Sequence, residues 1–198
     1  MLCCMAPPDD LAEWRRAQRA ELLARRMALV PEQRLRHQTV ITETLLTHFT
    51  PKAGTVVALY WPFKGEFEPR HVVRHWRNCG VRTVLPVVVE KAHPLQFREW
   101  WPGVATVPGV FNLPVPQGTE LLIPDLLLMP PVGFDAQCFR LGYGGGYYDR
   151  TLAELAGHQR LCIGIAFELS RIDTIFPQPH DIAMDFVVTE AGIHHRRN

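Results

Sequence analysis

Five short apolar runs constrain this chain more than any other feature: residues 55–60, 81–89, 125–129, 161–167 and 185–189. They are continuous rather than alternating, which is what a strand buried on both faces requires. Helical periodicity fills much of the sequence between them. Strands and helices alternating in this way point to an α/β fold, a single three-layer α/β/α sandwich with a mostly parallel sheet. Ligands of such sheets bind beyond the carboxyl ends of the strands.

The helical segments can be placed from their ends. Asp9 or Asp10 caps a helix running to about residue 30, with Leu11, Trp14, Leu22, Leu23 and Met27 as its apolar positions. Pro31 opens a second helix to about residue 49, in which Leu35, Ile41, Leu45 and Leu46 pack inward. A third spans roughly 70–78 and stops before Gly80. Pro86 marks the end or an edge of its strand, and 95–100 reads as an edge strand. The Pro- and Gly-rich stretch 102–124 reads as an irregular surface excursion. At 198 residues the expectation is one domain, 1–198, with 1–9 disordered and 190–198 a tail.

A net charge of +1 and the lack of a basic stripe argue against a nucleic-acid partner. The five cysteines (Cys3, Cys4, Cys79, Cys138, Cys162) include no C-x-x-C pair, which argues against a disulfide framework or a zinc site. No run is apolar enough for a membrane span, and residues 1–5 do not read as a signal peptide. The expected location is the cytoplasm.

Chemistry concentrates in the stretch from Arg140 to Arg150, RLGYGGGYYDR. Consecutive glycines leave the backbone bare, so amide N–H groups can close around an anion. The helix expected at 147–155 would aim its first-turn amides and its dipole at the same anion. Arg140 upstream offers a cationic fork for phosphate, and Asp149 downstream a hard oxygen ligand for Mg²⁺. Neither familiar nucleotide motif fits. A P-loop ends in Gly-Lys-Ser/Thr, whereas Gly146 precedes Tyr147 and Tyr148. The dinucleotide fingerprint meets Tyr147 where its third glycine belongs. Arg15 and Arg19, four residues apart, share one helix face.

With these residues in view, the chain resembles the 5-formyltetrahydrofolate cyclo-ligase family (5,10-methenyltetrahydrofolate synthetases). The likeness runs from the arginines near residue 15 to Thr189 and is most specific at 130–150, PPVGFDAQCFRLGYGGGYYDR. Supporting pieces are YWPFKGEFE at 60–68, LPVV at 85–88, GIAFE at 164–168, and His180-Asp181 followed by DFVVT at 185–189. The resemblance implies MgATP-dependent closure of 5-formyltetrahydrofolate to 5,10-methenyltetrahydrofolate, with release of ADP and phosphate. It assigns ATP to Arg15, Arg19 and the loop Arg140, Leu141, Gly142, Tyr143, Gly144, Gly145, Gly146, Tyr147 and Tyr148, with Arg140 as the catalytic charge. Asp149 and Asp181 would hold Mg²⁺. Glu66 would contact the pterin, with Tyr60, Tyr143 and Tyr147 lining the substrate site. The implied partners are 5-formyltetrahydrofolate and ATP, with no obligate protein partner and no membrane. The sequence departs from the family pattern at Arg15 (usually Lys), Val115, Cys138 (usually Gly), Ser170 and Gln178. Cys138 raises the expectation of a changed loop conformation. Alternatives are a non-catalytic folate or nucleotide binder of the same fold, or a related enzyme acting on sugar phosphates or CoA esters.

Overall fold

The computed structural model describes residues 6–110 and 113–196. Its centre is a seven-stranded sheet built from β1 (Val56–Ala58), β2 (Arg82–Val87), β3 (Gln96–Glu99), β6 (Leu126–Met129), β9 (Leu161–Ile165), β10 (Phe186–Thr189) and β11 (Gly192–His195). The order is β11-β10-β9-β6-β1-β2-β3. The inner five strands are parallel, and the edge strands β3 and β11 are antiparallel to their neighbours. The chain therefore moves outward one way from β1 and the other way from β6. The point where direction reverses lies between those two strands.

Successive residues of a strand face opposite sides, and β6 shows what each side meets. Leu126 and Leu128 join the core shared with Ile41 and Leu45 of α2 (Pro31–His48) and with Val72, Val73 and Trp76 of α3 (Arg70–Asn78). Leu127 and Met129 join the opposite core, which includes Leu152 of α4 (Tyr147–Glu154). Both faces are covered, which is why the strands carry no polar alternation. The helix α1 (Leu11–Met27) belongs to neither layer. It sets Leu22 against Val132, Leu141 and Ile175, residues of the loops that leave the carboxyl edge of the sheet. Asp10 caps it, accepting a bond from the Glu13 amide.

Several expectations are corrected. Met27 is 56% exposed and Leu35 67% exposed rather than inward-facing. Leu35 lies six residues before Ile41, about 120° around the helix from it. The stretch 102–124 is not wholly irregular: β4 (Thr106–Pro108) and β5 (Pro114–Pro116) pair antiparallel in a small ribbon. The expected tail 190–198 instead supplies β11, turned back by Gly192 at φ +133°. A tight turn and an unfilled sheet edge favour pairing there. Of the terminal disorder expected over 1–9, residues 6–9 carry no helix or strand, and 1–5 lie outside the described residues. Cys3 and Cys4 lie outside them too. Pro86 falls past the last β1 partner of β2, Val84, so its missing N–H breaks no bond to β1. Among the described residues no helix is long and apolar enough to cross a membrane.

Candidate functional site

The loops following β1 and β6 leave neighbouring strands at the reversal point, so residues distant in sequence meet over the carboxyl edge. The first loop carries Glu66. The second contains a two-residue ribbon, β7 (Gly133–Phe134) with β8 (Arg140–Leu141), and then the glycine turn. Asp135 shapes that ribbon. Its buried carboxylate accepts the amides of Gln137 and Phe139 on one oxygen and that of Ile175 on the other. Burial pushes its pKa up, and the three amides oppose the shift. Cys138 has a left-handed conformation at φ +60° with its side chain buried, an angle that glycine adopts more readily.

The glycine turn needs its glycines unequally. Gly144 (φ +93°) and Gly146 (φ +62°) have backbone angles that L side chains rarely adopt, whereas Gly142 has open space and no such angle. Gly146 caps α4 without a side-chain hydrogen bond, leaving the first-turn amides for a ligand. Arg150 braces the turn from below, donating to the Gly145 carbonyl at 2.5 Å and stacking on Tyr147. Arg19 covers it from above through a 2.8 Å bond from Nε to the Gly142 carbonyl.

Arg15 and Arg19 project from α1 as their spacing requires. Arg15 donates to the Ile175 and Phe176 carbonyls and to Asp181 Oδ2 at 2.6 Å. Arg19 makes no ion pair among the described residues. Partial burial first, and then the Arg15 charge, lower its pKa; Asp181 opposes this. The two arginines line a cavity of about 360 Å³ together with Leu11, Ala12 and Gln178. An imperfectly neutralised cation pair beside bare backbone is an anion site in the making.

Arg140 and Asp149 form a 2.5 Å pair, and Asp149 Oδ1 also accepts the Ile182 amide. Arg140 donates in turn to the Ile182 carbonyl. Residue 182 adjoins Asp181, so these bonds tie the loop bearing Asp181 to the start of α4. Each carboxylate thus spends one oxygen on an arginine and a backbone amide: Oδ1 of Asp149, and Oδ2 of Asp181, which accepts the Gln178 amide. The other oxygens accept no hydrogen bond among the described residues. A carboxylate oxygen left free in this way is the kind of hard donor that Mg²⁺ takes beside phosphate oxygens and water. Among the described residues no larger cluster of acidic, His or Cys side chains suits a metal.

Glu66, 5% exposed, accepts the Phe63 amide on Oε2 and the Tyr143 hydroxyl on Oε1 at 2.5 Å. Burial pushes its pKa up to about 7, against the lowering effect of those two bonds and the Arg26 charge. Tyr143 stands between the glycine turn and Glu66, its exposed ring 5.9 Å from that of Phe63. Tyr60 is 4% exposed with its hydroxyl on the Phe67 carbonyl, a wall of the site rather than an open face. Leu141 is a core residue whose side chain packs on Leu22 and Ile175. Tyr147 and Tyr148 pack partly buried against the α4-side core. Sequence reading missed Arg26, Asp135 and Arg150. Arg26 had a usable signal, since it follows Leu22 by four residues on the face that carries Arg15 and Arg19.

The model of the 5-formyltetrahydrofolate cyclo-ligase family matches residues 11–190. The 5-formyltetrahydrofolate cyclo-ligase of Mycoplasma pneumoniae is 30% identical over 178 residues, covering 88% of this chain and 97% of that protein. The Escherichia coli (strain K12) protein of the same name is 28% identical over 179 residues, covering 85% and 96%. The structure of Aquifex aeolicus 5,10-methenyltetrahydrofolate synthetase matches with a TM-score of 0.78 at 27% identity, covering 93% of each chain. Sequence and fold agree, and the chain belongs to the 5-formyltetrahydrofolate cyclo-ligase family of enzymes.

Proposed function

We propose that the protein closes 5-formyltetrahydrofolate to 5,10-methenyltetrahydrofolate at the expense of ATP. The formamide carbon is a poor electrophile because N5 donates into it, and its oxygen is a poor leaving group. Transfer of the γ-phosphoryl to that oxygen breaks the bond to ADP and leaves an iminium phosphate. N10 then attacks the carbon and loses its proton, the C–O bond breaks, and phosphate departs. No protein nucleophile is needed, so the protein's work is positioning and charge stabilisation. Arg15, Arg19 and the amides of the glycine turn would hold the polyphosphate, and Arg140 would stabilise the charge on the phosphoryl in transit. Asp149 and Asp181 would hold Mg²⁺, which supplies charge neutralisation of the phosphates when bound. Glu66 would accept two N–H donors of the pterin.

The observation that carries this reading is the Arg15–Arg19 pair, which lines an open cavity while Arg19 bonds the Gly142 carbonyl of the glycine turn. The test is appearance of the methenyl chromophore from 5-formyltetrahydrofolate, with omission of ATP and of Mg²⁺ as controls. Turnover should require both. Arg140→Ala and Asp149→Asn should each lower kcat by on the order of 10²–10³ while the protein stays folded. Wild-type turnover in both variants would overturn the site assignment. Binding of folate and nucleotide without product would favour the non-catalytic reading.

A further inference from the structure

Arg26 is the buried charge that the reaction above leaves without a task. It is 3% exposed, in the last turn of α1, and its guanidinium reaches three separate segments. Nε donates to the Lys64 carbonyl at 3.0 Å, Nη1 to the Pro131 carbonyl at 3.3 Å, and Nη2 to the Tyr143 hydroxyl at 2.7 Å. The Tyr143 hydroxyl passes its own proton toward Glu66, and Arg26 Nη2 lies 3.6 Å from Glu66 Oε1. The bonds therefore run in one direction, from guanidinium to phenol to carboxylate. The turn bearing Glu66 holds Lys64 at φ +46°, a costly angle for a residue with a side chain, before Gly65 at φ +74°, and Arg34 of α2 pins it as well through the Gly65 carbonyl.

A buried arginine is costly unless its donors and charge are met. Here they are met by the turn of Lys64 and Glu66, by the Tyr143 hydroxyl and by the Pro131 carbonyl, and the turn and the tyrosine belong to the candidate ligand site. We propose that Arg26 is a positioning residue for folate recognition, locking Glu66 and Tyr143 into one hydrogen-bonded unit that joins the pterin side of the site to the ATP turn. The inference rests on the proposed function and adds a residue to it. Besides Arg26 and Tyr143, the ionisable groups facing Glu66 are Tyr60 at the end of β1 and Tyr148 of α4, with Arg34 behind the turn. Arg26 and the Tyr143 bond both favour the ionised carboxylate. Without Arg26 the carboxylate takes up a proton more readily, and protonation turns one of its two oxygens into an O–H donor, which breaks the side-by-side acceptor pair that two parallel N–H donors need.

The test is steady-state kinetics of Arg26→Met, Arg26→Lys and Tyr143→Phe across pH 5.5 to 8.5, with folding checked by circular dichroism. Arg26→Met should raise KM for 5-formyltetrahydrofolate about thirtyfold or more, the low end for truncating one partner of a buried charge pair. KM for ATP should stay within about twofold, since the interaction lost is on the folate side. The acid limb of kcat/KM for folate should move to higher pH. Arg26→Lys should return that limb toward the wild-type position, a response that simple loss of packing does not produce. Tyr143→Phe should give the same KM split, and the Arg26→Met/Tyr143→Phe double variant should be no worse than the poorer single. A folded Arg26→Met with an unshifted limb, a parallel rise in both KM values, or additive single effects would overturn the proposal. Should Arg26→Met not fold, Arg26→Lys and Tyr143→Phe decide by the same criteria. Wild-type protein that binds folate without cyclising it would defeat the functional reading instead, and the split would then be read in the two dissociation constants.

Discussion

Replacing Glu66 with glutamine should remove a pH dependence from stability as well as a ligand contact. The carboxyl is buried, and its pKa rises from 4.5 to about 7 chiefly because burial disfavours the charged form. A raised pKa means the folded state binds the proton more tightly than the unfolded chain. The group's stabilisation is therefore complete below pH 4.5 and is lost as pH rises through 7. At about 1.4 kcal/mol per unit, a rise of about 2.5 units corresponds to roughly 3 kcal/mol in all. Integrated from pH 5 to pH 8, the loss is about 2.5 kcal/mol. Glutamine keeps the shape and one acceptor but does not titrate. The assay is urea unfolding of wild type and Glu66→Gln at pH 5, 6, 7 and 8, with ΔG extrapolated at each. The wild-type value minus the variant value should fall by about 2.5 kcal/mol over that range, most steeply below pH 7. A difference that stays flat, or that grows with pH, would refute the burial argument. It would mean that Arg26 and Tyr143 outweigh desolvation and hold the group ionised at ordinary acidity.

Three further outcomes follow from the same geometry. Gly144→Ala should cost roughly 1–2 kcal/mol for its positive φ, while Gly142→Ala should stay within about 0.5 kcal/mol, both measured as urea midpoints. Cys138→Gly should be more stable than Cys138→Ala by about 1 kcal/mol, because both lose the thiol and only alanine keeps the left-handed strain; equal melting curves would contradict this. Arg15→Gln should raise KM for ATP about tenfold through loss of one charge-assisted contact, with little change in KM for folate.

The layered fold was legible because both faces of the sheet are buried and leave continuous apolar runs. Ile41, Leu45 and the 126–129 run fall where periodicity places them. What failed did so for local reasons. Leu35 lies on the exposed side of its helix although it is apolar, since hydrophobicity without angular position does not fix a face. The strand Gly192–His195 went unread because its identity depends on an empty sheet edge beside β10, a fact of topology. The β7–β8 ribbon is likewise invisible to periodicity, since two paired residues a side are too short to show a period and the turn between them is held by amides gathered on Asp135.

The candidate site divides along the same line. The glycine turn and its flanking charges could be read because one short segment carries the whole pattern. Arg26 could not be read as an isolated arginine near a helix end, yet it belongs to a pattern already half seen. Residues 15, 19, 22 and 26 are spaced by four, three and four, which is a single stripe on a helix of 3.6 residues per turn. Leu22 is the apolar member and packs under the loops, and the three arginines reach out on either side of it. Arg15 goes to the loop of Asp181, Arg19 to the glycine turn, and Arg26 to Tyr143 and the turn of Glu66. The inward face of α1 is thus polar by design of contact, since each guanidinium meets loop carbonyls that no strand or helix satisfies. One helix laid across the carboxyl edge ties together the loop of Asp181, the glycine turn and the turn of Glu66. An inward-facing arginine at helical spacing from a candidate ligand residue is therefore a signal worth extending along the stripe before it is assigned to solvent.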